Sequence, residues 1–218
     1  MEVRMADHMG MCFGVRDAID LALRLTRQGP LTILGDLVHN PDVLARMDEA
    51  GASRVRDPEQ VQTRALLLTA HGTADGVKQQ LRSQGHQVYD ATCPLVKRVH
   101  LVLKKLVADG RYPVVIGQQD HVEVRGLIGD LDDYEVILHE TDFDRLEAPV
   151  ARNPRVGVVA QTTQPLPLVK DLVTALKGRR PAADLHTGSL PDGQSTAQNR
   201  AVHVMAAMRI GCGVTTRE

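Results

Sequence analysis

Six places along the 218-residue chain set a reactive side chain just after an apolar run and at or before a helix pattern. They are Cys12, His39, His71, Cys93, the His121/Glu123 pair and Thr162 with Thr163. The most distinctive stretch is Asp90-Ala91-Thr92-Cys93-Pro94-Leu95-Val96. Pro94 suits the first helical position, where its missing N–H costs nothing. Cys93 therefore stands against a helix N-terminus, where backbone N–H groups favour the thiolate that binds metal. Alone, it would serve equally as a small hydrophobe packed at a turn. Cys12, placed the same way, makes a pair. Two thiols far apart in sequence, each on its own strand–helix unit, suit a metal or cluster held between domains, and close-spaced C-x-x-C motifs are absent. Three histidines at one edge suit an anion, because a phosphate favours the charged imidazole. Glu123 could act as a general acid or simply as a first-turn acid, and Thr162 and Thr163 could cap the next segment. Thiolates, imidazoles and an acid together suggest redox chemistry on a phosphorylated small molecule.

The elements that must position these groups follow from apolar periodicity. Phe13 to Gln28 reads as a helix with Val15, Ile19, Ala22 and Leu25 on one face. Strands are expected at 2–6, 31–34, 65–69, 86–89, 112–116, 135–138 and 156–160. Asn40-Pro41 is an N-cap with proline behind it, opening a helix to about Ala50. Further helices are expected before Ser83, from Pro94, after Glu123 and over 166–176. Alternating strands and helices, with continuous apolar strand runs, predict a parallel α/β fold covered on both faces. Its reactive groups fall at the strand C-terminal edge, where open parallel sheets bind ligands. The expected organisation is a first α/β unit over 1–93, a second over 94–180, and an atypical tail over 181–218.

Composition removes whole classes of function. The chain has 26 Lys and Arg against 27 Asp and Glu, so no general charge draws it to nucleic acid or a membrane surface. Aromatics make up 2% with no tryptophan, which argues against base stacking. No signal peptide is expected, and no apolar run is long enough to span a bilayer. Three cysteines do not make a disulfide framework, so a reducing, cytoplasmic setting is expected. Nucleotide-binding glycine motifs are missing as well.

Read together, Gly10-x-Cys12-x-Gly14-Val15, His39-Asn40, Ala70-His71-Gly72, the Cys93 heptapeptide, His121-x-Glu123-Val124-x-Gly126 and Gln161-Thr162-Thr163 carry a resemblance. In type and order they resemble the LytB-type 4-hydroxy-3-methylbut-2-enyl diphosphate reductases, the iron–sulfur enzymes ending the non-mevalonate isoprenoid pathway. The resemblance implies a three-unit α/β fold and a 4Fe–4S cluster on three cysteines. It makes Cys12 and Cys93 two of the ligands, His39, His71 and His121 binders of the substrate and its diphosphate, and Glu123 a proton donor. Thr162 and Thr163 would contact substrate. Reductive dehydroxylation would yield isopentenyl and dimethylallyl diphosphates, with electrons from a ferredoxin or flavodoxin.

The sequence also departs from that family. Val122 replaces the family's proline after the histidine. Beyond about Arg180 the family motifs are lost, and the third unit is expected to be missing. Cys212, in Gly211-Cys212-Gly213, reads as an incidental thiol in a loose tail rather than the third ligand. A truncation or shifted frame is the expected origin, so this chain as written is expected not to support normal turnover. The alternative function is an inactive homologue that binds a diphosphate or metal without turnover.

Overall fold

The apolar runs that dominate the sequence form parallel strands buried on both sides. The computed structural model describes residues 11–188. The strand expected at 2–6, Gly10, Cys212 and any helix over 195–208 lie outside the described residues. The first unit runs α1 (Phe13–Thr26), β1 (Leu31–Leu34), α2 (Pro41–Glu49), β2 (Ala52–Val55), a 3-10 turn at 58–60, β3 (Ala65–Leu68), α3 (Asp75–Ser83) and β4 (Gln87–Asp90). The second runs α4 (Pro94–Ala108), β5 (Tyr112–Ile116), α5 (Val122–Ile128), β6 (Glu135–Ile137), a 3-10 segment at 140–146 leading into α6 (Glu147–Arg152), β7 (Arg155–Ala160), α7 (Leu166–Arg179) and β8 (Asp184–Thr187). Each unit has one four-stranded parallel sheet, ordered β2-β1-β3-β4 and β6-β5-β7-β8. The same order appears twice.

Strand alternation divides the core. Along β3, Leu67 packs with α1 and α2 residues such as Ala22 and Met47, while Leu66 and Leu68 pack with Leu81 of α3 on the other face. Along β5, Val114 and Ile116 meet Phe143 and Leu172, while Val115 meets Leu103 and Leu106 of α4. Each such buried side chain stabilises the fold by about 1.5–3 kcal/mol relative to exposure. Covering helices are what make continuous apolar strands possible.

Three parts of the architecture differ from the sequence expectation. β2 was not expected: it is a sheet edge whose central Ser53 and Arg54 are exposed, so it carries no apolar run. No element was expected over 140–152, yet Phe143, Leu146 and Val150 are buried in short helical turns. The atypical tail was expected to begin at 181, but β8 pairs with β7 from Asp184 to Thr187. That strand is held by backbone pairing and by the Arg111–Asp184 ion pair rather than by an apolar pattern.

Two local devices set the loops that carry the chemistry. Asn40 caps α2: its Oδ1 accepts from the N–H groups of Asp42 and Val43 at 3.0 and 3.2 Å, with Pro41 at the first helical position. Asn40→Ala is therefore expected to lower stability by about 1 kcal/mol, read as a shifted urea midpoint with an unchanged slope. An unshifted midpoint would mean the cap contributes nothing. Between the units, the Asp130 carboxylate accepts from the N–H groups of Asp75 and Gly76 at the start of α3, at 2.6 and 2.8 Å. Lys104 of α4 pairs with Asp75 beside it. A Cβ on Gly126 of α5 would lie 3.0 Å from the carbonyl oxygen of Gly72, so the units meet at backbone contact distance.

Candidate active site

Both cysteines are helix N-caps, Cys12 for α1 and Cys93 for α4. The chain leaving β4 stays paired to β3, with Ala91 N–H on the Leu68 carbonyl and Cys93 N–H on the Ala70 carbonyl at 3.1 and 3.0 Å. This places Cys93 against the turn that presents His71. Asp90 secures the bend: its carboxylate accepts from Thr92 N–H at 2.9 Å and pairs with Lys78 and Lys97. Burial works against the ionised form, but those hydrogen bonds and cations hold the Asp90 carboxyl below its usual range.

Helix N-terminal N–H groups were expected to lower the Cys93 pKa. The structure reverses that balance. Burial pushes the Cys93 thiol up, and the neighbouring Cys12 and Glu123 push the same way. The backbone N–H groups of Leu95 and Val96 oppose them without prevailing. Ionising the Cys93 thiol there would call for a compensating positive charge. That is an electrostatic reason for a metal there.

The three expected histidines converge. Ring centroids lie 4.4 Å apart for His39 and His71, 5.5 Å for His39 and His121, and 5.9 Å for His71 and His121. His71 follows β3, where Gly72 turns the chain at φ +84° and a Cβ would lie 2.9 Å from His100 Nε2. Burial, then the charges of His39 and His121, hold the His71 pKa down to about 3. His71 is a neutral imidazole in the free protein. His121 caps α5, its Nδ1 accepting from Glu123 N–H at 3.1 Å. A neutral ring accepting there carries its hydrogen on Nε2.

Glu123 is 1% exposed. Its Oε1 accepts from Thr162 N–H at 2.7 Å and its Oε2 from the Thr162 hydroxyl at 2.9 Å. Burial raises its pKa to about 7 despite both bonds, so it keeps a transferable proton near neutrality. Thr163 is exposed and its hydroxyl accepts from Gln161 Nε2 at 2.8 Å. Gln161 was quoted in the sequence motif but given no role. It is 3% exposed, and its Oε1 accepts from Gln118 N–H at 3.0 Å. It therefore ties the loop leading to His121 to the turn that carries Thr162. Its burial and its bond to Gln118 lie across the fold, so no local sequence signal marked it.

A cleft of about 1030 Å³ opens between the units. It reaches the histidine triangle at His39 and His121, while His71, Glu123 and both cysteines lie off its walls. The cleft thus meets the candidate groups at His39 and His121. Imidazoles for an anion, a protonated carboxylic acid and two neighbouring thiols make an arrangement able to bind a charged substrate, deliver a proton and hold a metal.

The sequence profile of the family described as LytB protein matches residues 3–207. The chain belongs to the LytB family. The match runs past Arg180, where the recognisable motifs end. A 4-hydroxy-3-methylbut-2-enyl diphosphate reductase from Dictyoglomus turgidum is 36% identical over 167 residues, covering 75% of this chain and 57% of the relative. The enzyme of the same name from Ralstonia nicotianae is 34% identical over 210 residues, 94% of this chain and 64% of the relative. The solved E-1-hydroxy-2-methyl-but-2-enyl-4-diphosphate reductase of Plasmodium falciparum superposes with a TM-score of 0.75 at 26% identity, covering 83% of this chain and 57% of that one. A solved (E)-4-hydroxy-3-methyl-but-2-enyl diphosphate reductase, titled the terminal enzyme of the non-mevalonate pathway, gives 0.68 at 30% identity, covering 84% and 66%. The chain therefore spans about three fifths of the length of these LytB relatives.

The described residues fit an iron–sulfur cluster in part. Cys12 and Cys93 are half-buried neighbours with the right donor chemistry. No group of three His, Cys, Asp or Glu among the described residues is set to hold a metal ion. Were such a cluster bound, the pair would supply two of the three thiolates that the family resemblance implies, and Cys212 lies outside the described residues. No helix among them is long and apolar enough to cross a membrane.

Proposed function

We propose that this LytB-family chain is built for the reductive dehydroxylation of 4-hydroxy-3-methylbut-2-enyl diphosphate to isopentenyl and dimethylallyl diphosphates. The observation that supports this most is the convergence of His39, His71 and His121, with Glu123 acting on the same thiol as Cys12. In this reading the imidazoles and their N–H groups hold the diphosphate, whose charge also favours their protonation. Glu123 gives its proton to the departing hydroxyl oxygen, which leaves as water when the carbon–oxygen bond breaks. Thr162 orients the carboxyl through its two hydrogen bonds, and Thr163 lies beside it to contact substrate. Two electrons and a second proton, delivered to the allylic carbon framework, complete the alkenyl diphosphate product. A 4Fe–4S cluster held in part by Cys12 and Cys93 would supply those electrons one at a time, recharged by a ferredoxin or flavodoxin in a reducing cytoplasm.

Anaerobic reconstitution with iron and sulfide, followed by product analysis with a chemical reductant, tests the reading. Formation of the two diphosphate products, lost in Cys93→Ser, is the result this reading requires, and it would overturn the sequence expectation that the chain as written does not support normal turnover. Substrate binding without product would favour the alternative, a homologue that binds diphosphate or metal without turnover. Failure to bind either substrate or iron would remove both.

A further inference from the structure

Among the described residues, Gly14 is a glycine whose presence backbone conformation does not explain. It lies in the first turn of α1, and it is not among the glycines with positive φ. Glycine is a poor helix former, so an ordinary helical position favours alanine. Alanine is excluded by a single neighbour. A Cβ at position 14 would stand 2.6 Å from Cys93 Sγ, 2.9 Å from Cys93 Cβ and 3.5 Å from Cys93 Cα. The atoms met are a side chain's root and thiol rather than the end of a flexible chain, so they have little room to yield. Gly14 is two residues from Cys12, so the close approach of position 14 to Cys93 also brings the Cys12 loop toward that thiol. The two cysteines cap helices of different units, so their approach depends on how closely α1 meets the start of α4.

We propose that Gly14 is a positioning residue for a two-thiol metal site: its missing side chain is what lets Cys93 reach the Cys12 loop. The inference rests on the reading that Cys12 and Cys93 share one metal-binding site. Any Cβ at 14 pushes α1 and the Cys93 turn apart, leaving both thiols present but too far apart to bind one ion together.

A trivalent arsenical reads this geometry without electron transfer. Phenylarsine oxide condenses with two nearby thiols, forming two As–S bonds and releasing one water, with arsenic unchanged in oxidation state. The full chain carrying Cys212→Ser, so that only two thiols are counted, is titrated and the adduct is followed by intact mass. One arsenical bound through both thiols is the expected result. Adding Gly14→Ala is expected to weaken that chelation about tenfold or more. Gly157→Ala is the matched control, since its Cβ would meet Leu106 Cβ at 2.9 Å. It is expected to lower Tm and leave chelation intact. If the parent chain does not chelate, the shared-site reading itself fails. If Gly14→Ala chelates like the parent, the shared site stands and the role of Gly14 is overturned.

A double-mutant cycle covers the case in which Gly14→Ala unfolds. Cys93→Gly removes both atoms nearest the added Cβ, so Gly14→Ala should lower Tm much less in that background. Equal losses in both backgrounds, or failure to fold in both, would overturn the proposal.

Discussion

Glu123→Gln is expected to remove a pH-dependent loss of stability and, in an active relative, to cut kcat by about 100-fold or more with little change in KM. The stability effect follows from burial. The carboxyl titrates at 4.5 when exposed and at about 7 in the fold. Between those values the native state holds a proton that the unfolded chain has released. Stability contributed by this group therefore falls as pH rises, by about 1.4 kcal/mol per pH unit, and stays low above pH 7. Glutamine does not titrate and can still hydrogen-bond both Thr162 groups, accepting from the N–H and donating to the hydroxyl oxygen. The variant minus parent difference in unfolding free energy should climb from pH 4.5 to about 7 and then level, near 3 kcal/mol. A difference curve flat across that window would mean the carboxyl is hydrated and not a stored acid.

His71→Asn should give the opposite slope. The imidazole titrates at 6.5 when exposed and near 3 in the fold. Between those values the unfolded chain binds a proton that the native state refuses. Stability contributed by His71 is intact above pH 6.5 and lost as pH falls toward 3, again by about 1.4 kcal/mol per pH unit. An amide side chain does not titrate, so the substitution would remove that loss and the variant should outlast the parent in acid. Between 4.5 and 6.5 the Glu123 and His71 contributions cancel in the parent, and each single variant uncovers the other. Binding moves the other way. Losing a hydrogen bond to a charged phosphate costs about 1.5–3 kcal/mol, so inorganic diphosphate should bind about 10- to 100-fold more weakly to His71→Asn by calorimetry. Equal affinity would take His71 out of the anion site.

The parts of this molecule legible in the sequence are those where one physical demand dominates. Continuous apolar runs such as Leu66–Leu68 and Val114–Ile116 named buried parallel strands, and Asn40-Pro41 named a helix start. Junctions of strand and helix placed Cys12, His39, His71, Cys93 and Glu123 at one edge, where the structure brings the three histidines together. Two edge strands, the polar β2 and β8, were illegible because they are held mainly by backbone pairing. The Cys93 thiol was misread because a helix N-terminus is visible in sequence whereas burial and the approach of Cys12 and Glu123 are not. Gln161 and Gly14 went unassigned for a related reason. Their work lies in contacts across the fold, with Gln118 and Cys93, that no local spacing encodes.

The repeated strand order also bears on ancestry. Both halves follow one plan, a leading helix, then strand, helix, strand, a 3-10 turn, strand, helix and strand, with α6 added after the 3-10 segment of the second. In both, the residue capping the leading helix is a cysteine. The loop after the first strand of each half carries a histidine at or beside the next helix cap, His39 and His121. A gene that copies this module copies one sulfur donor and one imidazole with it. The ligand count of a shared centre then grows with module number, and selection can vary one copy while the other preserves the inherited chemistry.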